Sequence, residues 1–176
     1  MRLRLSKRWL RRMAIAVLTV AALVGLYFLG DRLTPRDAAG RPLIYSPSVR
    51  AAESYRRRVK GWIDQMAWLD RRLAALLGAG EITDAAQLYA LSDEAESLLS
   101  QATGLAEDVA FTPAPPALLG LSALAEETAT AHLEAALAVS RWIGAPDVDQ
   151  LRTALEALRA ARSHRRALEE SQWVRE

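Results

Sequence analysis

The sequence predicts an all-α chain: a single N-terminal transmembrane helix followed by an antiparallel four-helix bundle in up-down-up-down order. Three observations carry that prediction. Residues 13–30 (MAIAVLTVAALVGLYFLG) contain no charged side chain. Beyond residue 46 apolar residues recur at alternating spacings of three and four, the period of an amphipathic helix. Glycine and proline interrupt that second part at short intervals, and no two-residue alternation of the strand kind competes with it.

The apolar run opens at Met13 and closes at Gly30, eighteen residues in all. As a helix it covers roughly 27 Å, close to the hydrocarbon thickness of a bilayer. Trp9 stands just before it and Tyr27 and Phe28 near its end, where aromatic rings favour the membrane interfaces. Arg2, Arg4, Lys7, Arg8, Arg11 and Arg12 precede it without one acid. That cluster predicts a cytoplasmic N-terminus in the plasma (inner) membrane, with the rest of the chain on the far side. A cleaved signal peptide shares the same basic-then-apolar order. The length of the run and the lack of a small-x-small site after it favour an uncleaved signal anchor. The chain has no cysteine, so neither a lipoprotein anchor nor a disulfide framework is available.

Four segments follow: a basic tail over 1–12, the anchor over 13–30, a tether over 31–46 and an extracytoplasmic helical domain over 47–176. The chain as a whole is net +2, but residues 1–12 alone hold six of its 23 basic residues. The exported part is therefore acidic, and nucleic acid is not an expected partner. The tether is broken by Pro35, Gly40 and Pro42, and its Leu43, Ile44 and Tyr45 are read as a staple over the next helix.

The first bundle helix starts after Ser46 with Pro47 at its first position and ends at Gly78. Tyr55, Val59, Trp62, Met66, Leu69, Leu73 and Leu76 form its inward stripe, widened by Ile63 and Leu77. The second opens at Thr83 or Asp84 and runs to about Val109, with Leu88, Leu91, Ala95, Leu98, Ala102 and Leu105 inside. Gly104 is expected to weaken its last turns. The FTPAPP stretch at 111–116 reads as a stiff connection.

The third helix spans 117–143. Its candidate stripe is Leu121, Ala125, Thr128, His132, Ala135, Val139 and Trp142, with Leu124, Ala131 and Ala138 alongside. Gly144 and Pro146 stop it, and Asp147 with Gln150 caps the fourth. Val148, Leu151, Leu155 and Leu158 continue the core there, and after Ala161 the pattern decays, leaving Leu168, Trp173 and Val174 as anchors. Short connections favour an intramolecular bundle. The alternative is an intermolecular coiled-coil assembly, because a stripe does not say whether its complement is internal.

No catalytic, cofactor or metal site is expected, and the chain is not read as an enzyme. Neither histidine has a glutamate three residues before it, so the di-iron pattern is missing. Met66 and His132 as a haem pair is weaker than the reading of both as core. No phosphate-binding glycine loop or Cys-x-x-Cys-His occurs.

Two surface features remain. Arg56, Arg57, Arg58 and Lys60, at the start of the first bundle helix, read either as a solvated face or as attraction to anionic lipid or an acidic partner. Trp68 with Arg71 and Arg72, and Trp173 with Arg165, mark a possible docking surface, since aromatic residues beside arginine are typical interface hot spots. In the anchor, Ala21 and Gly25 form one small-xxx-small pair.

The functional expectation is a membrane-anchored interaction module, acting as scaffold, adaptor or accessory subunit of an envelope complex, with lipid and a protein partner or a second copy as partners. The alternative is a sensory or apolar-ligand-binding bundle signalling through a partner. The layout resembles the ligand-sensing domains of bacterial receptors, but such receptors return through a second span, and no second apolar run occurs here.

Overall fold

The computed structural model describes residues 7–34, 46–79 and 84–175, with side chains described over 17–30, 34, 46–79 and 84–175. Among these the regular elements are helices. The chain divides into two compact units, Met1–Ser46 and Pro47–Glu176.

The first unit holds α1, Lys7–Leu33. Its described side chains, residues 17–30, are all exposed. Among the described residues no helix is long and apolar enough to cross a membrane. The transmembrane span expected over residues 13–30 is therefore not supported among the described residues. The side chains of Lys7, Arg8, Trp9, Arg11, Arg12 and Met13 lie outside the described residues, as do Arg2, Arg4 and the expected staple Leu43, Ile44 and Tyr45. Tyr27 and Phe28 are described, with their rings edge to face at 5.9 Å.

The second unit is built from α2 (Pro47–Leu77), α3 (Ala85–Phe111), α4 (Leu119–Gly144) and α5 (Val148–Glu169), closed by a short α6 (Gln172–Arg175). Pro47 opens α2, where a missing N–H removes no helical bond. Asp84 and Asp147 cap α3 and α5, accepting from the backbone N–H of Gln87 at 2.7 Å and of Gln150 at 2.8 Å. The third expected helix begins not at Ala117 but with a 3-10 turn, Pro116–Leu118, before α4 proper.

Cross-helix contacts set the directions. Arg58 meets Thr112, Trp62 meets Asp108 and Arg72 meets Glu94, so α2 and α3 run antiparallel. His164 of α5 lies beside Glu127 and Thr128 of α4. Farther along the same seam Trp173 covers Gly120, so α4 and the returning end of the chain also oppose one another. The stripes of α2, α3 and α4 complement each other within one chain: the expected stripe of α2 from Tyr55 to Leu76 and that of α4 from Leu121 to Trp142 are buried, with Leu124 and Ala131 half-buried alongside. This internal complement takes the place of the alternative coiled-coil assembly as an explanation of the stripes. The alanines Ala125, Ala129, Ala135 and Ala136 are buried, and their small size lets neighbouring helices approach α4 closely.

Two expectations are corrected. Val148 is 81% exposed, because it occupies the first turn of α5, before the stripe settles onto Ala154, Leu158, Ala161 and Leu168. The end of α5 does not decay: the stripe continues through Arg165 to a fully buried Leu168. As expected, α3 runs past Gly104, and it ends at Phe111 with Leu105 and Val109 buried.

Candidate functional site

Two features stand out from the packed apolar interior. One is a buried ionic cluster joining α2, α4 and α5. The other is an open groove between α2 and α3.

The cluster centres on Asp70, which is 3% exposed and lies between Leu69 and Leu73 of the α2 stripe. Arg165 Nε donates to its Oδ2 at 2.8 Å, and the same guanidinium reaches Glu169 one turn on. Arg162 Nη2 donates to the Asp70 carbonyl at 3.1 Å. His132, with no exposed surface, places Nε2 3.3 Å from Asp70 Oδ1. That contact is close enough for charge attraction, yet neither atom meets hydrogen-bond geometry. The other ring nitrogen, Nδ1, faces the Thr128 carbonyl at 2.8 Å. A carbonyl only accepts, so Nδ1 carries a proton. Burial pushes the Asp70 carboxyl up, but the His132 ring and the Arg165 guanidinium outweigh it and hold the pKa below its ordinary value. Burial lowers that of Arg165, but its contacts with Asp70 and then Glu169 outweigh burial and hold it above its ordinary value.

Chemically this cluster is a clamp. An Asp-His pair can activate a nucleophile only if the second ring nitrogen is free to take its proton. Here that nitrogen is committed to a backbone carbonyl, and the Thr128 hydroxyl donates to the Leu124 carbonyl at 2.6 Å. What the cluster does is join three helices through charge in a low-dielectric interior.

The groove is different in kind. It encloses about 460 Å³ over two turns of each helix. Leu69 and Leu105 make an apolar floor, Trp68 forms one wall, and Asp64, Gln65, Gln101 and Asp108 form a polar rim. Trp68 is 38% exposed, with the Arg72 guanidinium 5.8 Å from the ring centroid. Arg72 is in turn held by Glu94 at 2.6 Å, which limits the freedom of the cation beside the indole. At the far end Trp62 Nε1 donates to Asp108 Oδ2 at 2.7 Å.

Gly104 deepens the groove. A Cβ placed there would meet nothing within 4 Å, so packing inside the bundle does not require glycine. Glycine in a helix interior costs about 1 kcal/mol relative to alanine. The local effect of that cost is an open floor beside Trp68.

The residues expected to mark a docking surface therefore separate. Trp68 and Arg72 are brought together at the groove, and Arg71 is exposed on the same helix. Arg165 and Trp173 serve the bundle itself. Arg165 binds Asp70, and Trp173 is half-buried over Gly120, where a Cβ would stand 2.9 Å from its ring. Of the residues expected in the core, Trp62 and Trp142 are buried, and Met66 is fully so. Asp70 was not anticipated, although its spacing from Met66, Leu73 and Leu77 is that of an inward position.

Among the described residues no group of three His, Cys, Asp or Glu side chains converges in a way that could hold a metal ion. No family model matches the chain, and neither a curated protein nor a solved structure matches it.

Proposed function

We propose that this chain is a single-pass, membrane-anchored helical module that acts by binding a protein partner, not by catalysis, with the α2–α3 groove as the docking surface. In this reading residues 13–30 are the anchor. The basic residues before it hold the N-terminus in the cytoplasm, and the bundle faces the other side of the plasma (inner) membrane.

The observation that supports the anchor is the surface of α1. Nine large apolar side chains from Val17 to Leu29 are exposed on a helix whose described part has no charged face. A helix apolar on all sides is stable only when covered, and lipid is the cover that an eighteen-residue uncharged run fits. The groove supports the binding role: an apolar floor, a polar rim and a restrained tryptophan are the anatomy of a protein interface.

Alkaline extraction of native membranes tests the anchor. The full chain is expected to remain with the bilayer, with residues 47–176 cleaved only by protease added from the outer side. Release into the supernatant would overturn it. For docking, crosslinking in native membranes followed by mass spectrometry should recover a defined partner through the groove face. Recovery that is undiminished in Trp68→Ala would rule the groove out.

A further inference from the structure

The two ends of the bundle are electrically unlike. The first turns of α2, residues 47–60, carry Arg50, Arg56, Arg57, Arg58 and Lys60 against the single acid Glu53. The opposite end holds the start of α3, with Asp84, Asp93, Glu94 and Glu96, and the start of α5, with Asp147 and Asp149; the bases there include Arg141, Arg72, which binds Glu94, and Arg152, which binds Asp149. The bundle as a whole is acidic, so its basic end is a local feature and not a reflection of composition.

The same basic end displays apolar side chains. The start of α2 packs against the connection between α3 and α4: Arg58 Nη1 donates to Thr112 Oγ1 at 3.2 Å, and Ser54, Tyr55 and Arg58 border a shallow hollow with Pro113 and Pro115. Phe111, next to Thr112, is 83% exposed, and Leu119, at the start of α4, is 61% exposed. Val49 in the first turn of α2 is also exposed. Phe111 and Leu119 flank a connection stiffened by Pro113, Pro115 and Pro116, which holds them out at a fixed corner. Glu107 and Asp108 stand about one turn behind Phe111, and Asp108 is occupied by the Trp62 indole.

From this juxtaposition we infer that the end of the bundle bearing Phe111, Leu119, Arg57 and Lys60 is a membrane-contact surface that docks on an anionic phospholipid bilayer. Phe111 and Leu119 enter the interfacial region, while the arginines and lysine lie over lipid phosphates. The acidic end then points away from the bilayer, so the charge asymmetry also sets orientation. The inference rests on the membrane-anchored reading in one respect: residue 46, where the chain arrives from the apolar run, lies at this same end. Its occupant is a bilayer and not a protein, because the apolar residues form a corner and not a groove, and the first turns of α2 beside them carry five basic residues against one acid.

Residues 47–176 form a compact unit with their own core, so the bundle can be tested without the anchor. Flotation with phosphatidylcholine vesicles, with and without phosphatidylglycerol, reads binding directly. The bundle is expected to float with the anionic vesicles, to stay behind with the neutral ones, and to be released by added salt. Phe111→Ser with Leu119→Ser, and separately Arg57→Glu with Lys60→Glu, should each weaken anionic-vesicle binding by roughly tenfold or more while leaving the thermal unfolding midpoint close to the wild-type value. Tyr89→Ser, at an exposed residue of the acidic end, should leave binding unchanged. No binding to anionic vesicles, equal binding to neutral ones, or equal weakening by Tyr89→Ser would overturn the inference. Each of these results leaves the anchor standing, because that is read from extraction of the full chain.

Discussion

The bundle has two faces of α2 that are built in opposite ways. Toward α4 and α5, α2 presents the buried Asp70 to His132 and Arg165, and the seam is closed by charge. Toward α3 it presents Trp68 and Gln65 to Gly104 and Gln101, and the seam is open over about 460 Å³. One helix thus carries a joint on one side and a recess on the other. The difference teaches where each kind of residue is costly. A carboxylate at the closed seam must be paired, because burial disfavours its charge. A glycine at the open seam satisfies nothing inside the fold and weakens the helix that carries it.

The largest effect should come from the closed seam. Asp70→Ala leaves the Arg165 Nε donor without its acceptor and His132 without the carboxylate beside it, and loss of one partner from a buried pair costs about 3–5 kcal/mol. For a domain of this size the melting midpoint of residues 47–176 should fall by roughly 10 °C or more. Across the open seam, Asp108→Ala removes one hydrogen bond from Trp62 at a partly solvated site, and the expected loss is about 1 kcal/mol. Equal losses at the two positions would abolish the contrast.

The pH dependence sharpens it. Asp70 has a lowered pKa in the folded chain, so the unfolded state takes up a proton first as acid is added. Its contribution is therefore present above its unfolded pKa, about 4, and is lost as pH falls through the lower folded value. Denaturant titrations at stepped pH should show a declining acid limb that is shallower in Asp70→Asn. An identical limb in that variant would remove Asp70 from the account.

At the open seam Gly104→Ala should stabilise α3 by up to about 1 kcal/mol, since a Cβ there meets no neighbour. If the groove is the docking surface, the same change reduces partner crosslinking. A gain in stability with undiminished crosslinking would detach the glycine from docking. The smallest effect is expected at Val148→Ser, where exposure predicts a change within about 0.5 kcal/mol.

Much of the bundle was legible along the chain because its cues are local. The caps Asp84 and Asp147, Pro47 at the start of α2 and the break at Gly144 to Pro146 act within a few residues, and the helices begin and end beside them. The inward stripes of α2 and α4 were equally legible from spacing alone. The end of α5 was misread for an instructive reason. Ala154, Leu158, Ala161, Arg165 and Leu168 keep the alternation of four and three without a break, but an arginine in that series looks like a solvated residue when hydropathy is the only guide. Asp70 was passed over in the same way, one residue from Leu69 and in step with Met66 and Leu73. Trp68 lies two positions past Met66, off the core register, and that position is what places it at the groove.

By itself the sequence determined the helices, most of their ends, the uncharged N-terminal run and which face of α2, α3 and α4 turns inward. The tertiary structure alone decided which inward residues meet. Helical periodicity specifies a direction around one axis, whereas a partner is set by the axial register and separation of two helices that close packing fixes. Hence Asp70, His132 and Arg165, far apart in sequence, become one cluster, and Gly104 becomes the floor of a recess only because Gln65 and Trp68 stand across from it. The exposure of Phe111 and Leu119 at the basic end was settled in the same way, by where the α3–α4 connection crosses the start of α2.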